Sequence, residues 1–114
     1  MALVIARLAG EGNFRNVYRR GHRWRGPYIN LSALAIPGAP RTRVAVVVSR
    51  QVSPRASKRN LVKRRLWAGL REHRAALPTQ GYHVIITGQP KLLHLTYAEL
   101  ARELGNFIRR LPKA

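Results

Sequence analysis

Val44-Ala45-Val46-Val47-Val48-Ser49-Arg50, a short Pro-containing loop, then Ser57-Lys58-Arg59-Asn60-Leu61-Val62-Lys63-Arg64-Arg65-Leu66-Trp67 is the stretch on which the fold turns. Its first part is an unbroken apolar run, which suits a strand buried on both faces. In its second part the period changes. Val62, Leu66, Leu70, His73 and Leu77 recur along one face of a helix expected over residues 57–77, which Pro78 and Gly81 bring to an end. The charges on this helix are unbalanced. Lys58, Arg59, Lys63, Arg64, Arg65, Arg71 and Arg74 make seven basic residues against one acid, Glu72. A helix face that is merely solvated interleaves Glu with Lys, so seven against one points to an anionic partner. At about 100° per residue, Lys63, Arg64, Trp67, Arg71 and Arg74 fall on one flank of the apolar stripe, and Lys58 and Arg65 on the other.

Working outward, residues 28–35 alternate, with Ile29, Leu31, Ala33 and Ala35 on one side and Tyr28, Asn30 and Ser32 on the other. One face then packs on a core while the other meets solvent or ligand. A loop of Ile36-Pro37-Gly38-Ala39-Pro40 separates this strand from the run 44–48, and the spacing predicts an antiparallel hairpin. Upstream, Asn13 is placed to cap a short helix carrying Phe14, Val17 and Tyr18, closed by Gly21. Downstream, residues 82–87 read as a strand. Thr96-Tyr97-Ala98-Glu99 is a capping box that opens a last helix with Leu100, Leu104, Phe107, Ile108 and Leu111 inward. The expected order is helix, strand, strand, helix, strand, helix in a single domain spanning 1–114, with no internal repeat.

Composition narrows the function. Lys and Arg number 22 against four acids, a formal charge of +18, so the neutralising charge must come from outside the chain. Polyphosphate is the natural source, because each phosphate neutralised releases condensed counterions. An anionic membrane fits less well, since the apolar residues are spread over several elements that need one another. With hydrophobic residues at 46% the chain can bury a core. It has no cysteine, hence no disulfide or thiolate chemistry. The opening residues do not read as a signal peptide and no run approaches a membrane span, which sets the expectation of a cytoplasmic protein.

The helix N-terminus suits phosphate, because free N–H groups and the positive end of the dipole converge there. Arg59 adds a guanidinium fork, and Asn60 can donate and accept toward a ribose hydroxyl or a base edge. Phe14, Tyr18 and Tyr28 with Arg15 and Arg19 supply aromatic faces beside cations, as single-stranded nucleic acid requires. Core packing explains Phe14 equally well, and Trp67 reads better as cover for neighbouring apolar surface. Catalysis by protein groups has little to work with: there are four Glu and no Asp, and His22, His73, His83 and His94 lack metal-ligand spacing.

The run Arg59-Asn60-Leu61-Val62-Lys63-Arg64-Arg65-Leu66 after Val47-Val48-Ser49-Arg50 resembles the signature of the bacterial ribonuclease P proteins. In that family an Arg-Asn-Arg motif follows a strand end. Asn13-Phe14-Arg15-Asn16-Val17-Tyr18-Arg19-Arg20-Gly21 is similar to the family's N-terminal helix, and Tyr82-His83-Val84-Ile85-Ile86 to its later strand. Two departures stand out: Leu61 occupies the place of the motif's second Arg, and the loop 53–58 is about one residue longer than usual.

The resemblance implies an α/β two-layer sandwich, a small mixed sheet packed with helices, whose βαβ crossover is left-handed against the general rule. It implies that the catalyst is an RNA subunit, which removes the 5′ leader of precursor tRNA while the protein binds both. Carried over, Arg59, Asn60, Lys63 and Arg64 face the catalytic RNA, with Arg50, Arg55, Lys58 and Arg71 around them. Phe14 and Tyr18 line the leader cleft, with Arg15 and Tyr28 beside them. Mg²⁺ enters only through the RNA, and neither a protein-bound metal nor an obligate protein partner is expected. The alternative is a structural RNA-binding protein, such as a small ribosomal protein, and a histidine-dependent protein nuclease ranks last.

Overall fold

The apolar run of β5 (Tyr82–Gly88) sits at the centre of a five-stranded sheet, with Val84, Ile85 and Ile86 all fully buried. The computed structural model describes residues 5–78 and 80–111. Its other strands are β1 (Ala6–Arg7), β2 (His22–Arg25), β3 (Ile29–Ala35) and β4 (Arg43–Val47), and the helices are α1 (Glu11–Arg20), α2 (Ala56–Glu72) and α3 (Tyr97–Ile108). Short 3₁₀ turns occupy Arg74–Ala76 and Pro90–His94. The strand order is β1-β4-β5-β3-β2.

The expected hairpin of β3 with β4 does not form. β5 lies between them, antiparallel to β3 and parallel to β4. A strand apolar on both faces gains most in the middle of a sheet, and the loop between β3 and β4 is long enough to let it in. The hairpin present instead joins β2 to β3, with His22 opposite Ala33 and Arg25 opposite Asn30. The alternation rule overlooked β2, whose sequence His-Arg-Trp-Arg is that of a charged edge strand. It overlooked β1 as well, a two-residue strand parallel to β4.

Residue parity divides the core. Ile29, Leu31, Val44, Val48, Val84 and Ile86 face α2 and α3, meeting Val62, Leu66, Leu70, Leu104 and Ile108. Ala45 and Ile85, one residue out of step, face the other way with Leu8 and Val17, and Phe14, Leu34 and Val47 pack against them. The expected sandwich of sheet and helices is therefore present, and α1 lies across part of its second face.

Helix boundaries follow local chemistry. α1 begins one turn earlier than an Asn13 cap would allow, because Gly10 at φ 96° turns the chain into it, and Asn13 donates from within to the Ala9 carbonyl at 2.8 Å. α2 stops at Glu72 instead of running to Leu77. His73 leaves helical geometry and bonds through Nε2 to the Ala101 carbonyl at 2.9 Å, tying α2 to α3. The capping box of α3 forms in both directions, Thr96 N–H to Glu99 at 2.9 Å and Glu99 N–H to Thr96 Oγ1 at 3.2 Å.

Gly21 ends α1 as expected, for a reason that only the tertiary packing supplies. A Cβ there would stand 2.5 Å from the Val17 carbonyl oxygen and 2.8 Å from that of Ala33. Both are backbone atoms. Gly21→Ala will force α1 away from β3 and cost about 2–3 kcal/mol, read as a lower midpoint in urea unfolding.

Candidate nucleic-acid interface

Parallel β4 and β5 are joined through α2, so α2 starts beyond the carboxyl ends of these strands. The intervening loop, residues 49–55, is held by its own bonds. Val52 N–H donates to the Ser49 carbonyl at 3.1 Å, Gln51 N–H to Ser49 Oγ at 3.3 Å, and Arg55 N–H to Ser53 Oγ at 3.2 Å. Val52 and Ser53 are buried beneath it. α2 has Arg55 at its N-cap, no side-chain cap and no acid in its first turn. Its first N–H groups and dipole therefore face outward uncompensated.

Along that loop and helix Arg50, Arg55, Lys58, Asn60, Lys63, Arg64 and, in the last turn of α2, Arg71 are all exposed, as is Arg65, and none is ion-paired among the described residues. The folding pattern explains the grouping. Val62, Leu66, Gly69 and Leu70 bury one stripe, which leaves these cations on the outer surface. Arg59 differs from them. It is half-buried, and its Nη1 donates to the carbonyls of Ser53 and Pro54, both at 2.9 Å. It braces the loop against the helix, with Nε and Nη2 unbonded among the described residues. Leu61, in the place of the motif's second Arg, is half-buried. Trp67 packs on the core and is covered by Arg7, whose Cζ lies 4.3 Å from its ring. Arg7 was not foreseen, because β1 carries too few residues to show a period.

The second group gathers on the opposite face of the sheet, around α1. Val17 is buried and Phe14 half-buried against Leu8, Ala45 and Ile85, while Tyr18 is 41% exposed with Arg23 over its ring at 5.8 Å. Arg15 is paired with Glu11 at 3.6 Å in a solvated i, i+4 contact of small energetic weight. Tyr28 is not part of this group. It packs against the α2–α3 side of the core.

On the same face of the sheet as α1, Val47, Thr87, Asn30 and Arg25 stand in register across four strands, and none of them is fully buried. This row forms an open, mostly polar floor running from the loop 49–55 to the β2 edge. Asn30 could be read from alternation as facing solvent or ligand, whereas Thr87 became visible only once the register was known.

Metal-ligating side chains lie scattered among the described residues. No three of His, Asp or Glu gather there. Glu11 and Glu99 already serve an ion pair and a cap. Burial, and then the Arg43 guanidinium opposite it in the sheet, hold the His83 imidazole below its usual pKa. The surface can bind, orient and neutralise a polyanion.

Comparison with known proteins agrees with that chemistry. The family model described as Ribonuclease P matches residues 5–112. A Ribonuclease P protein component from Pseudanabaena is 34% identical over 104 residues, covering 91% of this chain and 89% of the relative. One from Picosynechococcus is 33% identical over 104 residues, covering 90% and 86%. Among solved structures, the RNase P protein from Thermotoga maritima superposes with a TM-score of 0.81 at 19% identity, over 93% of this chain and 97% of its own. That from Staphylococcus aureus gives 0.79 at 16%, over 90% and 92%. At such identities the structures speak for the fold alone.

Proposed function

The chain belongs to the ribonuclease P protein family, as a protein component of the tRNA 5′-processing enzyme, and from that membership we propose how its two surfaces divide the work. The outer surface of α2 and the loop 49–55 bind the catalytic RNA. The floor beside α1 takes the single-stranded 5′ leader of precursor tRNA. The observation that carries the first assignment is the acid-free, uncapped start of α2 ringed by exposed cations. Phosphates lose their condensed counterions to such a surface, and the helix N–H groups give them directional partners.

Arg50, Arg55, Lys58, Lys63, Arg64 and Arg71 neutralise phosphate, and Asn60 reaches sugar or base. Arg59 shapes the loop and adds its remaining N–H groups. In the cleft Phe14 and Tyr18 offer ring faces, Arg23 and Arg15 charge, and Thr87 and Asn30 hydrogen bonds. Tyr28 contributes by packing behind the floor. Mg²⁺ enters through phosphates of the RNA partner, since among the described residues no three metal-ligating side chains gather. Among the described residues no helix is long and apolar enough to cross a membrane, in keeping with a ribonucleoprotein working in the cytoplasm.

Reconstitution tests the reading. Mixed with a bacterial ribonuclease P RNA at low Mg²⁺, the protein will raise the rate of 5′ cleavage of precursor tRNA. No gain over the RNA alone would refute it. Phe14→Ala will weaken the preference for precursor over mature tRNA with a small loss of stability. Equal loss of precursor and mature tRNA binding, with a collapsed melting temperature, would make Phe14 a core residue only. Arg59→Ala will flatten the salt dependence of RNA binding by about 0.9 in log–log slope and lower the melting temperature by a few degrees. A lower melting temperature with an unchanged slope would restrict Arg59 to bracing the loop.

A further inference from the structure

The polar floor ends at Arg25, on a free edge of the sheet: β2 pairs with β3 on one side and with no strand among the described residues on the other. Its side chains alternate across that edge. Arg23 and Arg25 lie on the α1 face, opposite Ser32 and Asn30, while His22 and Trp24 lie on the α2–α3 face, opposite Ala33 and Leu31. The two rings form a T-shaped pair with centroids 4.2 Å apart, His22 exposed and Trp24 half-buried.

The C-terminus of α3 reaches the same place. A Cβ on Gly26 would stand 2.7 Å from Phe107 Cζ, so the buried Phe107 ring fits directly beneath the turn that leaves β2. Arg110 lies over that ring at 5.1 Å, beside the edge. Arg109 adjoins it, exposed, and donates to Asn106 at 2.9 Å. None of these arginines has an acidic partner among the described residues.

We propose that single-stranded RNA lying on the floor beside α1 continues past Arg25 over the β2 edge, onto a second platform made by His22, Trp24, Arg109 and Arg110. This rests on the reading of the cleft as a leader site and extends it to more distal nucleotides. Aromatic faces beside unpaired cations are what successive unpaired bases and their phosphates require, whatever the base sequence. A rigid duplex resting on one face could not follow the turn. A second copy of the chain is the other candidate for a free strand edge. Pairing two β2 edges would set Arg23 and Arg25 against their equals between molecules each carrying +18, and like charges in register oppose that.

The test uses the intact protein and single-stranded oligouridylates of about five and about fifteen nucleotides, lengths within the span one such module covers. The longer RNA will bind the wild type at least about tenfold more tightly. His22→Ala/Arg109→Gln/Arg110→Gln will lose most of that gain and keep the affinity for the short RNA. Its salt slope for the long RNA will fall by about 0.7 for each cation removed. Arg41→Gln, an exposed cation of the β3–β4 loop outside both surfaces, will keep the gain from length. Equal binding of both lengths by the wild type overturns the proposal. So does a gain retained by the edge variant, equal affinity for a duplex of the same length, or a dimer in sedimentation that the edge variant abolishes. Stimulation of precursor cleavage by the wild type reports separately on the parent reading. If that stimulation fails, the enzyme assignment falls; if it succeeds without a length effect, the edge alone is refuted.

Discussion

Leu104→Ala will destabilise the free protein by about 3–5 kcal/mol, about a fifth or more of the roughly 5–15 kcal/mol that holds a domain of this size together. Leu104 is fully buried in α3, and its Cδ1 lies 2.6 Å from where a Cβ on Gly69 of α2 would stand. The glycine brings the two helices close at that point, so Leu104 fills space that no neighbour can re-enter when its side chain is removed. Truncation leaves a cavity between two rigid helices, which puts the cost toward the upper end of the range. Chemical unfolding will show the loss directly, and a drop below about 1 kcal/mol would mean that α2 and α3 can collapse onto each other. Catalytic RNA in excess will offset part of the loss, because it binds the folded state alone.

Replacing Lys58, Lys63, Arg64 and Arg71 together by Ala will weaken binding of the catalytic RNA by roughly 10³-fold near 0.1 M salt, with a log–log slope lower by about 3–4. All four are exposed and lack ion-pair partners among the described residues, so the folded chain gives up little when they go. The free variant will melt at or above the wild-type temperature, because four charges leave a molecule of +18 that repels itself. Salt separates the two effects. Raising ionic strength screens the self-repulsion and stabilises the free protein, while it weakens the complex. An unchanged affinity for the catalytic RNA would move the interface off α2.

The local signals were the dependable ones. The capping box at Thr96 and Glu99, the glycine that ends α1, Val62, Leu66 and Leu70 on α2, and Leu100, Leu104, Phe107 and Ile108 on α3 are each set by neighbours within about one helical turn, and each appears where sequence placed it. Apart from the start of α1, where Gly10 and not Asn13 is the cap, the errors lay where a distant partner decides. β3 and β4 looked like a hairpin because they are adjacent in the chain, and nothing local shows that β5 outcompetes that pairing. β1 and β2 have too few or too polar residues to carry a period, and exist as strands only because β4 and β3 offer them an edge. The same holds for the site. The cations of α2 were legible as an imbalance of charge, whereas the use of one Arg59 nitrogen on the Ser53 and Pro54 carbonyls was not. Tyr28, grouped with Phe14 by composition, turned out to face the other half of the core.

Sequence by itself therefore determined that the chain folds as helices and strands around a modest core, that its charge calls for a polyanionic partner, and that a strand is followed by a basic loop and a basic helix. These follow from composition, periodicity and caps, which act through covalent neighbours. Tertiary structure alone decided the order β1-β4-β5-β3-β2, and with it the row Val47, Thr87, Asn30 and Arg25 on which the proposed leader path lies. The four residues of that row come from four strands spread across the chain. Only long-range pairing, driven by burying both faces of β5, brings them side by side.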